Sequence, residues 1–168
     1  KEGRSGCTII NDSYNSDFNS LDIALDFMNR RPDRKERGRT LILSDMEQTG
    51  EPADVLYERV ARLVATRGVV RFIGVGPDLQ AARERFTMEA HFFAATEDLL
   101  NSPLLDSLHN ELILVKGARS FRFDRLTEHL ALKVHETILE VNLNAVVDNL
   151  NYYRSFMKPD TKMVCMVK

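Results

Sequence analysis

Five short apolar runs, at residues 7–10, 40–43, 69–75, 89–95 and 112–115, alternate with stretches of helical patterning. This alternation limits the fold more than any other feature of the chain. Each run is the length of a buried strand, and polar or glycine-containing turns follow them. Between the second and third, residues 52–66 set Val55, Leu56, Val60, Leu63 and Val64 on one predicted helix face. Pro52 suits the first turn of that helix and Gly68 its end. Further helices are predicted at 21–28, at 78–85, after Thr96 and at 123–132; Thr96 is expected to cap its helix, with Glu97 and Asp98 in the first turn. Strand and helix in such close alternation predict an α/β fold: a Rossmann-like, doubly wound, mostly parallel sheet with helices on both faces.

Length and charge narrow the function classes. A chain of 168 residues suits one domain and part of a second. A hydrophobic fraction of 43% is enough for a core, and a net charge of −2 gives no pull toward nucleic acid or a membrane surface. No apolar stretch reaches the ~20 residues of a membrane span. Cys7 and Cys165 both lie in apolar runs and read as buried reduced thiols, which leads us to expect a cytoplasmic protein. Residues 30–39 hold six basic and two acidic side chains and read as a solvated loop. The lone G-x-G at 74–76 lacks the third glycine of a nucleotide loop and reads as tight packing. The four histidines show no ligand spacing, so no metal site is expected. The missing initial Met and an end inside an apolar run lead us to expect a fragment of a longer chain.

The ends of three strands carry the chemistry. Residues 11–16 read Asn-Asp-Ser-Tyr-Asn-Ser, 44–50 read Ser-Asp-Met-Glu-Gln-Thr-Gly, and 115–119 read Val-Lys-Gly-Ala-Arg. In an open α/β sheet, ligands gather at the carboxyl ends of the strands, and a parallel sheet sets all three turns on one rim. Asp12 can accept from a ribose hydroxyl, Tyr14 offers a ring and a hydroxyl, and Asn15 can read a donor and an acceptor together. The same residues also suit a plain polar turn that caps the next helix. Lys116 and Arg119 suit a carboxylate or a phosphate, although Lys116 can equally lie along the rim with its stem on apolar surface. Asp45 can orient an amine or cap the turn that follows it.

The first of these turns resembles the DSYNANPxS signature of the C-terminal domain of Mur ligases, continuously over Asn11–Asn15 and departing at Asp17 and Phe18. The second resembles the family's GDMxELG, with Ser44 for Gly and Gln48-Thr49 for Glu-Leu. The third resembles VKGSR, with Ala118 for Ser. Order and spacing match over roughly residues 1–131, closest to the type that adds D-alanyl-D-alanine to UDP-N-acetylmuramoyl-tripeptide. The resemblance implies a ligase domain over residues 1–133. It implies that ATP phosphorylates a substrate carboxylate, and that an amine then attacks the acyl phosphate. It implies nucleotide contact through Asp12, Tyr14 and Asn15, and a hold on the incoming dipeptide through Asp45, Lys116 and Arg119. ATP and Mg2+ would be held mainly by a central ATPase domain whose Walker motif this sequence lacks, so the fragment alone is expected to be inactive.

From residue 134 the texture changes. Residues 135–143 alternate like a strand, 144–154 read as a helix with Asn144 near its cap, 158–160 as a turn and 162–167 as a strand. This β-α-β order resembles the opening of an alanine racemase of the TIM-barrel type. It implies that residues 134–168 begin a second domain and that Lys168 matches the lysine forming a Schiff base with pyridoxal phosphate. Neither cofactor is expected bound here. A segment this small cannot bury its own strand faces, so a homodimer through the tail is a further expectation. Two alternatives stay open: a protein named for its racemase activity, and a non-catalytic α/β binding module.

Overall fold

The computed structural model describes residues 1–31, 37–47, 50–132 and 140–164. The chain divides into two compact units, residues 1–133 and 134–168. In the first, five strands form one sheet: β1 (Thr8–Asp12), β2 (Gly38–Ser44), β3 (Arg71–Val75), β4 (Glu89–Phe93) and β5 (Glu111–Lys116). Its helices are α1 (Phe18–Asn29), α2 (Ala53–Thr66), α3 (Pro77–Ala81), α4 (Thr96–Leu100) and α5 (Asp124–Leu130). The sheet order is β1-β5-β2-β3-β4, and all four pairings are parallel. The expected α/β class and parallel sheet are therefore observed.

The two-residue period of the strands divides the core into two layers. Leu41 and Leu43 of β2 and Leu112 and Leu114 of β5 point to one face, where they meet Leu21, Leu25 and Met28 of α1, Leu56 and Val60 of α2, and Leu79 of α3. Ile42, Ile113 and Val115 point to the other, where Leu99 of α4 and Phe123, Leu126 and Leu130 cover them. Each fully buried Leu or Ile contributes about 1.5–3 kcal/mol, so these two stripes hold the sheet between its helices. Phe72, Phe86 and Phe92 add a ring cluster, with Phe72 and Phe86 stacked at 4.1 Å between centroids.

Several local expectations are corrected. On α2, Val55 is exposed and Tyr57 is buried in its place, because the buried stripe runs through Leu56, Tyr57, Val60, Ala61 and Val64 at helical spacing. Pro52 lies just before α2, at its N-cap. Thr96 does not cap α4: its hydroxyl donates to the carbonyl of Phe121 at 2.7 Å. Asp98 instead accepts from the Ala95 amide at 3.1 Å. Cys7 is a buried free thiol, as expected, and Cys165 lies outside the described residues.

The amino ends of the strands are stapled by charge. Arg71 of β3 pairs with Glu111 of β5 and, at 2.8 Å, with Glu89 of β4, while the Thr40 hydroxyl of β2 donates to Glu111. The outer edge of β1 is covered by the first residues of the chain, through a bridge of Glu2 to Thr8, while Gly3 bridges Ala131 just after α5.

The second unit holds α6 (Leu143–Ser155). Its cap is Asn142, whose side chain accepts from the Ala145 amide at 3.2 Å, and not Asn144. Leu143, Val146, Val147 and Phe156 are exposed. Of the two strands expected here, residues 140–142 and 162–164 are not in strands, and 133–139 and 165–168, Lys168 among them, lie outside the described residues.

Candidate functional site at the carboxyl rim

The site begins with β5, which the topology inserts between β1 and β2. α1 and α2, which follow β1 and β2, lie on one face, and α5, which follows β5, lies on the other. Chains leaving adjacent strands toward opposite faces open a crevice at the strand ends, the place where open α/β sheets bind ligands. The three polar turns leave from these three neighbouring strands.

Lys116 stands level with Asp12 on one side and Leu43 on the other. Its side chain is 0% exposed; Nζ donates to Asp12 Oδ2 at 2.7 Å and to the Asn15 carbonyl at 2.9 Å. A buried ammonium needs a counter-charge and hydrogen-bond acceptors, and the β1 turn supplies both. Within that turn, Asn11 Oδ1 accepts from the Ser13 amide at 3.2 Å and the Ser13 hydroxyl at 2.6 Å, closing a local Asx turn. At its far end Asp17 caps α1, accepting from the Ser20 amide at 2.9 Å and the Ser20 hydroxyl at 2.6 Å. These bonds from Ser20 hold the Asp17 carboxyl below the ordinary aspartate value. Phe18 follows as the first helical residue, with the Arg59 guanidinium 4.1 Å above its ring.

The turn after β5 is tied to β2. The buried Ser44 hydroxyl accepts from the Ala118 amide at 2.8 Å and donates to the Asp45 carbonyl at 2.9 Å. Gly117 lies against the Phe123 ring so closely that a Cβ there would sit 2.5 Å from it. Thus fixed, the turn carries Arg119 outward, where its guanidinium lies 5.9 Å from the centre of the exposed Tyr14 ring.

Asp45 goes elsewhere. It is 6% exposed and accepts from the amides of Asp78 at 3.0 Å and Leu79 at 2.8 Å, capping α3. Gly76 precedes that helix at φ 130°, and a Cβ on it would fall 2.3 Å from the Asp45 carboxylate. Burial pushes the Asp45 carboxyl up, against the two amide bonds that lower it. The Tyr57 phenol, which accepts from the Met46 amide at 3.0 Å, is likewise pushed up by burial.

An open groove of about 340 Å³ lies on the rim, lined by Tyr14, Asn15, Ser16, Asp17, Glu47, Ala118 and Arg119. A second of about 270 Å³ shares Asp17 and Glu47 with it and runs toward Phe18 and Arg59. Of the residues singled out from sequence, Tyr14, Asn15 and Arg119 line the first groove. Asp12 and Lys116 pair with each other and are not among its lining residues, and Asp45 is turned to α3. Ser16, Asp17 and Glu47 were missed; their places in the polar turns were the available signal. Among the described residues no group of three or more His, Cys, Asp or Glu side chains could hold a metal ion, and no helix is long and apolar enough to cross a membrane.

No protein-family model matches the sequence. Among known proteins, the UDP-N-acetylmuramoyl-tripeptide–D-alanyl-D-alanine ligase of Escherichia coli K12 is 25% identical over 123 residues. The crystal structure of the MurF ligase of Thermotoga maritima in complex with ADP superposes with a TM-score of 0.60 at 16% identity, over 76% of this chain and 28% of that one. This chain is similar to MurF ligases in sequence and fold. A crystal structure of MurF from Acinetobacter baumannii gives a TM-score of 0.59 at 18% identity, again over 76% of this chain and 28% of MurF. The match to the Escherichia coli ligase covers 73% of this chain and 26% of that protein, so the chain spans about a quarter of the length of the MurF ligases it matches.

Proposed function

We propose that residues 1–133 are the C-terminal domain of a MurF-type ligase. In this reading the domain helps an ATP-dependent, cytoplasmic enzyme add D-alanyl-D-alanine to UDP-N-acetylmuramoyl-tripeptide, a step in making peptidoglycan precursors. The observation that carries it is the meeting of three family-like turns at one groove, on the ends of β1, β5 and β2. The groove suits a small zwitterion: Arg119 offers a planar fork to a carboxylate, and Asp17 and Glu47 offer acceptors to an ammonium. Holding the dipeptide by both ends would present its amine in one orientation to the acyl phosphate. Tyr14 and Asn15, with the Asp12 oxygen that Lys116 leaves free, are the contacts we assign to nucleotide. ATP phosphates and Mg2+ would be held by a central domain outside this chain, and the chain alone would not catalyse.

The position of Lys116 refines its role. With its amine buried and donating to Asp12 and Asn15, it serves the substrate by holding the turn, not by touching the dipeptide. For the second unit we infer the beginning of an alanine racemase. Asn142, inside the racemase-like stretch, caps α6, and Lys168 would be the residue that carries pyridoxal phosphate. A homodimer through the exposed apolar side chains of α6 belongs to the same reading.

The test is titration of the 15N-labelled chain with D-alanyl-D-alanine. Amide shifts should move at Tyr14, Ser16, Asp17 and Arg119 and leave the α3 region around Asp78 still. Shifts spread evenly over the surface, or none, would refute the dipeptide site.

A further inference from the structure

Glu47 and Ser120 meet at the rim. The Ser120 hydroxyl donates to Glu47 Oε1 at 2.6 Å, joining the turn after β2 to the turn after β5 across 73 positions of sequence. Both residues are exposed, and a bond between exposed side chains adds little to the stability of a fold. Its two ends nevertheless rest on fixed backbone. The residue before Glu47 donates its amide to the buried Tyr57 hydroxyl at 3.0 Å. Ser120 stands in a short 3-10 turn (Arg119–Phe121), where the Phe121 carbonyl accepts from the Thr96 hydroxyl at 2.7 Å. Glu47 lines both grooves of the rim, so its carboxylate is part of the wall they share.

Resting on the dipeptide reading above, we propose that Ser120 is a positioning residue, holding Glu47 in the orientation that receives the ammonium of the bound dipeptide. The two acids that line the groove are not equivalent. Asp17 accepts from the Ser20 amide through Oδ1 and from the Ser20 hydroxyl through Oδ2, so both its oxygens already serve the cap of α1. Glu47 gives Oε1 to Ser120 and keeps Oε2 without a partner among the described residues. A long side chain loses rotamer freedom when it clamps a ligand, and one that is already held loses less. Ser120 also follows Arg119 directly in the chain. One short turn therefore carries the fork for the carboxylate and steadies the acceptor for the ammonium.

Such a role acts on one end of the ligand, which makes it separable from a structural one. The 168-residue chain is titrated, by amide shifts, with D-alanyl-D-alanine and with N-acetyl-D-alanyl-D-alanine, which keeps the carboxylate and lacks the ammonium. The wild type should bind the free dipeptide more tightly. Ser120→Ala should weaken the free dipeptide about two- to tenfold, the cost of ordering one long side chain, and leave the N-acetyl ligand unchanged. Ser120→Thr, which keeps the hydroxyl, should bind as the wild type does. In a Glu47→Ala background, Ser120→Ala should have no further effect, because the group it acts through is gone. A Ser120→Ala variant that binds the free dipeptide as the wild type does, or loses both ligands equally, overturns the assignment. So does a loss of the same size in the Glu47→Ala background, or a Ser120→Thr variant as weak as Ser120→Ala. A wild type that binds the two ligands alike overturns it while leaving the groove as the dipeptide site. A wild type that binds neither refutes the dipeptide reading and this inference with it.

Discussion

Lys116 Nζ and Asp12 Oδ2 lie 2.7 Å apart although 104 positions separate them in the chain. The pair joins the last residue of β5 to the last residue of β1, at matched register. It fixes where the polar turn of Asp12 leaves the sheet, and so where Tyr14 meets Arg119.

Breaking this pair from one side should be costly. Asp12→Asn leaves a fully buried ammonium without its counter-charge, whereas Lys116→Met removes the charge and keeps the stem. One-sided loss of a buried pair costs about 3–5 kcal/mol, and the half-open Asp12 places this one at the low end. The double variant should be more stable than the two single losses added together. Urea unfolding of all four proteins checks this; strict additivity would mean that the charges do not interact.

Gly117→Ala should destabilise the unit by about 1–3 kcal/mol, the usual cost of overpacking a filled core. The added Cβ would lie 2.5 Å from the ring of Phe123, which is 0% exposed. Lys116 and Ala118 are both held in place, so the backbone cannot yield on either side. A melting temperature equal to the wild type would show that Phe123 can move freely.

The two rim aspartates should respond to pH in opposite senses. Asp45, pushed up mainly by burial, contributes stability that is complete below its unfolded pKa and is lost as pH rises through its folded pKa. Asp17, held down first by the Ser20 side-chain bond, contributes stability that is complete above its unfolded pKa and is lost as pH falls through its folded pKa. Carboxyl titration by NMR should therefore find Asp45 above and Asp17 below the ordinary value of 3.8. Ser20→Ala should bring Asp17 back toward that value. The stability of the wild type relative to Asp45→Asn should fall as pH rises. The reverse order of the two titrations would refute the assignment of burial and capping as their causes.

The sequence by itself determined the class of the fold and marked the polar turns that form the candidate site. Runs such as Leu41-Ile42-Leu43 and Leu112-Ile113-Leu114-Val115 are apolar on both faces, which only a strand covered on both sides tolerates. Asn, Asp, Ser and Gly after those runs declare turns through their local backbone bonding. Periodicity also found α2, and it misjudged Val55 because that residue lies one position before the buried stripe that opens at Leu56, about 100° round the helix.

Only the tertiary structure decided what those turns do. Sequence order gives no sign that β5 returns to lie between β1 and β2, because the crossover that carries it there is a packing outcome. That insertion brings Lys116 to Asp12 and Ser44 to Ala118, two contacts between residues far apart in the chain. It also separates Asp45, which caps α3 beyond β3, from the groove. Composition could mark Asp12, Asp45 and Lys116 as polar residues at strand ends. Burial and hydrogen-bond partners, which exist only in the folded chain, tie Lys116 to Asp12 and Asp45 to α3, and leave Tyr14, Asn15, Ser16 and Arg119 among the residues that line the groove.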